Sequence, residues 1–144
     1  HYPVVGVKVD LVDGKEHPVD SSEMAFKLAA SQAFKQGVQQ AAPVLLEPVM
    51  NLTVRVPEQF VGDIISDLNS KRARVLGTMP DGHTTTIEAQ APLAELMRYS
   101  TDLRSITQGR ASYTMNFDHY AHVPDHIAKK VVESSQKEAA AKPA

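Results

Sequence analysis

The chain is predicted to fold as an α+β protein. A strand–helix–strand–strand–helix–strand domain is preceded by a partial α/β domain of hairpin plus helix and followed by a C-terminal helix. Three observations lead there. Short runs alternate apolar and polar residues with period two, as half-buried strands do. Between them, apolar residues recur at helical spacing. Finally, the first half of Pro92–Tyr120 echoes a stretch thirty-five residues earlier: Pro57 matches Pro92, Asp67 matches Asp102, Leu68 matches Leu103 and Ser70 matches Ser105. Self-similarity at a fixed offset marks a duplicated supersecondary unit.

At 144 residues with 42% apolar content, the chain can bury one ordinary core. Its net charge of −2 is no general polyanion-binding signature. It has no cysteine, which excludes disulfides, thiolate nucleophiles and cysteine-based zinc sites. No apolar run approaches a membrane span and no signal sequence opens the chain. The expectation is a cytoplasmic, monomeric protein. Because it begins at His1 and enters a strand pattern at once, a segment of something longer is expected.

Residues 1–42 form the first predicted domain. Val5, Val7, Val9 and Leu11 alternate with Gly6, Lys8 and Asp10 as one strand. Asp13-Gly14 supplies a turn, and the strand returns over Glu16–Val19, where Pro18 confines it to an edge. Asp20, three residues before Glu23, is placed as the N-cap of a capping box. The helix is expected from Ser21 to Gln39, with Phe26, Ala30, Ala33, Phe34 and Val38 on its apolar face. A hairpin and one helix cannot bury both faces, so this piece reads as part of a larger domain.

Residues 43–122 form the second. Val49–Val56 is its first strand, and Pro57 opens a helix whose inward face carries Phe60, Val61, Ile64, Ile65 and Leu68. Arg74–Met79 and Thr84–Ala91 flank the Asp81-Gly82 turn. Pro92 opens the second helix, with Leu93, Leu96, Met97, Leu103 and Ile106 mostly inward, and Gly109 ends it. Ala111, Tyr113, Met115 and Phe117 mark the fourth strand. This order is the ferredoxin-like split βαβ. Over residues 123–144 a last helix, Asp125 to about Lys137, runs into an alanine-rich end expected to fray.

The chemistry is sparse. There is no phosphate-binding loop and no nucleophile elbow. Ser21, Ser22 and His17 could be read as nucleophile and base, but serines at a helix start are read as caps. His119, His122 and His126 are read as solvent-facing rather than as a metal site. The first and third strands carry no aromatic residue, which disfavours base stacking on the sheet. What remains is a basic group, Lys71, Arg72 and Arg74 with Arg104 and Arg110, suited to phosphate contacts on folded RNA. Residues 43–122 hold seven basic and nine acidic side chains, so on residues alone a solvated, balanced rim is the better reading.

The segments HPVDSSEMAFKLAASQAF, PVLLEPVMNLTV, VGDIISDLNSKR and PLAELMRYSTDLRSITQGRASYTMNFDHY closely resemble, in that order, the C-terminal part of bacterial elongation factor G. The resemblance spans about Tyr2 to Lys130. It implies that Tyr2–Ala42 ends that family's domain IV and that Val44–His122 is its domain V. It implies a ribosomal translocase fragment without its own GTPase site. GTP and magnesium would be bound upstream, and this chain alone would be no enzyme. Gly14, His17, Val19, Asp20, Ser21 and Ser22 match the family's tip-loop context. Lys15, His17, Asp20 and Ser21 would thus face tRNA and mRNA at the decoding site, and Lys71, Arg72, Arg74, Arg104 and Arg110 would meet ribosomal RNA.

Several positions depart from the family pattern: Lys15-Glu16 before the histidine, Pro18 after it, and Asp81, Glu88 and Arg98. They leave open a paralogue for ribosome recycling or another ribosomal step. A free-standing ferredoxin-like module binding a ligand or protein is the rival reading. An acyl-phosphate hydrolase is weaker, since no glycine-rich loop with a following arginine would hold the phosphate.

Overall fold

The computed structural model describes residues 2–19 and 21–141. The chain forms two compact units, His1–Pro43 and Val44–Ala144.

In the first unit one helix forms, α1 (Glu23–Gln40). Its N-cap is Ser22, whose side chain accepts from the Ala25 amide at 3.1 Å. The helix therefore starts after Ser22 rather than at Ser21, and the expected Asp20 cap lies outside the described residues. Glu23 and Lys27 pair across one turn at 2.6 Å, in the favourable order along the helix. No residue of α1 is fully buried within the unit.

The expected hairpin does not form: residues 2–17 contain no strand. Two physical reasons are visible. Gly6 sits at φ +67°, which breaks an extended run. Among the described residues the unit also offers no sheet for a two-stranded ribbon to join, and such a ribbon alone is marginal in water. Val5, Val7, Val9 and Leu11 consequently stay exposed.

The second unit is the ferredoxin-like domain. Its elements run β1 (Leu46–Pro57), a 3-10 turn (Glu58–Phe60), α2 (Val61–Ser70), β2 (Arg74–Asp81), β3 (Thr84–Pro92), α3 (Leu93–Leu96), α4 (Tyr99–Thr107), β4 (Ser112–His122) and α5 (Asp125–Ala141). The sheet is antiparallel in the order β2-β3-β1-β4. Alternation decides its faces. Leu52, Val54 and Val56 of β1 and Ile87, Ala89 and Ala91 of β3 join Phe60, Ile64, Leu68, Leu96, Tyr99 and Leu103 from the helices in one core. Tyr99 meets Tyr113 of β4 edge-on at 5.2 Å between ring centres.

The second helix differs from expectation. It is split into α3 and α4 around Met97 and Arg98, and Met97, expected inward, is exposed. Helix α5 runs to Ala141, four residues beyond the expected end near Lys137; residues 142–144 lie outside the described ones.

The duplication is visible in the backbone. Pro57 and Pro92 precede their helices at φ −58°, ψ 143° and φ −63°, ψ 137°. Leu68 and Leu103 both point into the core.

Candidate nucleic-acid interface

The loop before α1 is held by its own polar groups. The Ser21 hydroxyl accepts from the His17 amide at 2.7 Å, and the Ser21 amide donates to the His17 carbonyl at 3.2 Å. The His17 ring Nδ1 accepts from the Val19 amide at 3.2 Å. Both groups of the imagined nucleophile–base pair are thus engaged with backbone, which favours a structural loop over catalysis. Lys15, Glu16, His17 and Ser21 rim a cleft of 350 Å³ floored by Ala25, Phe26 and Ala29. Lys15, His17 and Ser21 are brought together there and exposed; Asp20 lies outside the described residues.

In the second unit the expected basic group divides. Lys71 and Arg72 close α2 and turn inward to carboxylates. Lys71 Nζ lies 2.7 Å from Asp102 and 3.6 Å from Asp67. The hydrogen bond to Asp102 is the main reason its ammonium is held above the ordinary value, against the opposing effect of burial. Arg72 takes the left-handed conformation at φ 55°. The Ala73 amide donates back to the Leu68 carbonyl at 3.0 Å, the long-range bond of a Schellman ending. The Arg72 guanidinium holds Glu47 through two hydrogen bonds and Glu95 through a third at 3.0 Å. These contacts raise its pKa, the Glu47 bonds most. Lys71 and Arg72 are therefore the fastening between α2, β1, α3 and α4, with little charge left over for a partner. Arg74 remains exposed.

Arg110 stands toward the other end of the sheet from Arg74: Arg74 lies beside Gln90, which faces Asn51, whereas Ser112, just after Arg110, faces Arg55. Arg104 lies on α4, two residues after Asp102, the partner of Lys71. Arg110 lies over the Phe60 ring at 5.1 Å and donates to Gln108 Oε1 at 3.1 Å. The contact of Phe60 with Arg110 could not be picked out in advance, because nothing local links it to a residue fifty positions on.

The open sheet face is polar. Asn51 donates to Asp118 at 2.8 Å, and Gln90 donates to Asn51 at 3.0 Å and to Asp118 at 3.3 Å. Asp118 also bonds His119, the first cause of its lowered pKa. The register sets Asn51, Thr53 and Arg55 against Gln90, Glu88 and Thr86, and against Asn116, Thr114 and Ser112. No aromatic ring stands in these three rows, so this part of the face offers no base-stacking platform. Among the described residues no group of three or more His, Asp or Glu side chains is placed to hold a metal. No described helix is long and apolar enough to cross a membrane.

Comparison with known proteins matches residues 44–131 to the family described as Elongation factor G C-terminus. Residues 1–42 match Elongation factor G, domain IV. Among solved structures, the chain is similar to a crystal structure from Thermus thermophilus, with TM-score 0.73 and 44% identity. The match covers 87% of this chain and 19% of that one, so the chain spans about a fifth of that relative. The two matched domains carry no catalytic site of the family. With both domains matched in sequence order and the expected sheet in place, the chain belongs to the elongation factor G family of translation factors.

Proposed function

We propose that this chain is the ribosome-facing C-terminal part of a GTP-dependent translocase acting in the cytoplasm. The observation that carries this is the unbroken succession of two domains of one family, residues 1–42 and 44–131, along a single chain. In this reading the Lys15–Ser21 loop, with Asp20, meets tRNA and mRNA at the decoding site through His17. The second unit contacts ribosomal RNA through arginines of its basic group. GTP and magnesium belong to another part of the protein, because no sequence here has the form of a phosphate-binding loop.

The test uses the full-length factor. His17→Ala should slow single-round translocation while GTP hydrolysis stays normal. Unchanged translocation removes the role given to His17.

A second reading, a paralogue acting in ribosome recycling or another ribosomal step, is favoured by the acidic and bulky departures. Asp81 lies 3.9 Å from Arg55, Glu88 faces out from the sheet and Arg98 is exposed. Subunit splitting by the full-length factor without translocation would select it.

A further inference from the structure

We infer that Asp13–Gly14 is a site of spontaneous backbone modification, where the chain closes a succinimide and reopens it as isoaspartate. This chemistry stands apart from the ribosomal reading.

Two conditions favour it. The side-chain carboxyl carbon must lie beside the amide nitrogen of the next residue, and the local backbone must be free to close the ring. Glycine suits the second position, because it has no side chain to shield its nitrogen. The sequence has two Asp-Gly pairs, Asp13–Gly14 and Asp81–Gly82, and no Asn-Gly pair. The structure places the two in opposite circumstances.

At Asp13 the carboxylate already lies against its neighbour's amide. The Gly14 amide donates to Asp13 Oδ1 at 2.8 Å. The carbon to be attacked is one bond from that oxygen. Both residues are exposed and lie in no helix or strand. Among the described residues no backbone–backbone hydrogen bond holds either of them. Nothing stands within 4 Å of the place a Gly14 side chain would take. Water has access, and backbone rotation meets little resistance.

Asp81–Gly82 is held instead. Asp81 ends β2 and pairs in register with Thr84. The Thr84 hydroxyl donates to the Asp81 carbonyl at 3.0 Å. Gly82 sits at φ 63° between the two strands. The Asp81 carboxylate lies 3.9 Å from Arg55 of β1. Ring closure there would have to undo the end of the hairpin.

The step needs only water. The Gly14 nitrogen attacks Asp13 Cγ and forms the N–Cγ bond. The amide proton and the side-chain hydroxyl leave together as water. One water then opens the imide. Opening at the side-chain carbonyl restores Asp13. Opening at the main-chain carbonyl routes the chain through Cβ and leaves a free α-carboxylate. The product keeps its mass and formal charge but has one more carbon in its main chain. That carbon enters just ahead of Lys15 and His17, so it re-aims the loop that rims the cleft.

The experiment ages the full-length factor at neutral pH and physiological temperature, then maps its peptides. Electron-transfer fragmentation distinguishes isoaspartate from aspartate, and an isoaspartyl methyltransferase with a labelled methyl donor counts it independently. The peptide holding Asp13 should split with time into two species of equal mass, one of them accepting methyl groups. The peptide holding Asp81 should stay single. Gly14 is not left-handed and has open space around it, so Gly14→Val should shield the nitrogen and remove the second species with the fold intact. In strong denaturant the two pairs should convert at comparable rates, because the hairpin no longer protects Asp81. A single, methyl-inert Asp13 peptide after ageing overturns the inference. So does equal conversion of the two pairs in the folded factor, or a difference between them that persists in denaturant.

Discussion

Arg72 grips Glu47 by both carboxylate oxygens, Nη1 to Oε1 at 2.8 Å and Nη2 to Oε2 at 3.0 Å, across 25 residues of sequence. The pair joins the start of β1 to the end of α2, and Glu95 of α3 closes it from a third side. Breaking a well-buried pair leaves a stranded charge and costs about 3–5 kcal/mol. Here Glu47 is largely covered and Arg72 partly so. Arg72→Ala should therefore cost about 1–3 kcal/mol, discounted for solvent screening. Urea denaturation of the chain checks this. Arg72→Lys should recover little, because an ammonium cannot reproduce the two-pronged contact.

Tyr99 gives a prediction of the opposite sign. Its ring is buried, and among the described residues its hydroxyl has no hydrogen-bond partner. An unsatisfied buried hydroxyl costs about 1–3 kcal/mol. Tyr99→Phe should thus be neutral or stabilising by up to about 1 kcal/mol, while the edge contact with Tyr113 survives.

The same residue sets part of the alkaline limit. Burial first, then the nearby Asp67 carboxylate, pushes the phenol above its ordinary 10.0. The folded pKa exceeds the unfolded one, so stability is complete below pH 10 and falls as pH rises through the folded value. Lys71, held above 10.5 chiefly by its bond to Asp102, acts in the same direction. Between neutral pH and about pH 11, denaturation midpoints should fall less for Tyr99→Phe than for the unsubstituted chain, with the Lys71 share remaining.

Ser22→Ala removes the side-chain acceptor for the Ala25 amide. Loss of an N-cap costs about 1 kcal/mol. Because α1 buries no residue completely within its unit, the loss should appear as fraying of the first turn, read by amide hydrogen exchange over Glu23–Phe26.

Gly109→Ala tests the turn between α4 and β4. At φ 77° an L side chain is strained, although space around the site is open apart from Arg104. The expected cost is about 1–2 kcal/mol by thermal denaturation.

Much of the second unit was legible from residues with local consequences. Period-two alternation located β1 and β4, the Asp81-Gly82 turn placed β2 and β3 on either side of it, and the prolines and glycines located most helix and strand ends. The break between α3 and α4 was not legible: Leu93 to Ile106 keeps helical spacing across it, and the sequence there contains no glycine or proline. Nor could sequence show that Lys71 and Arg72 were already engaged. Their partners Asp102 and Glu47 lie 31 and 25 positions away, a relation only the packed helices create. The N-terminal alternation was a real pattern with no sheet here to receive it, and Gly6 turned it further from strand geometry.

The duplicated aspartates have one more consequence. Asp67 and Asp102 occupy equivalent places in the two halves, yet both reach the same lysine. Thirty-five positions after Lys71 stands Ile106, packed against the core instead of carrying a charge. The two halves therefore share Lys71 on their pseudo-symmetry seam, with Arg72 beside it bridging Glu47 of the first half and Glu95 of the second. A split between β2 and β3 would leave Asp102 and Glu95 of the second half without the cations they meet here, so the fragments should regain a fold only on recombining.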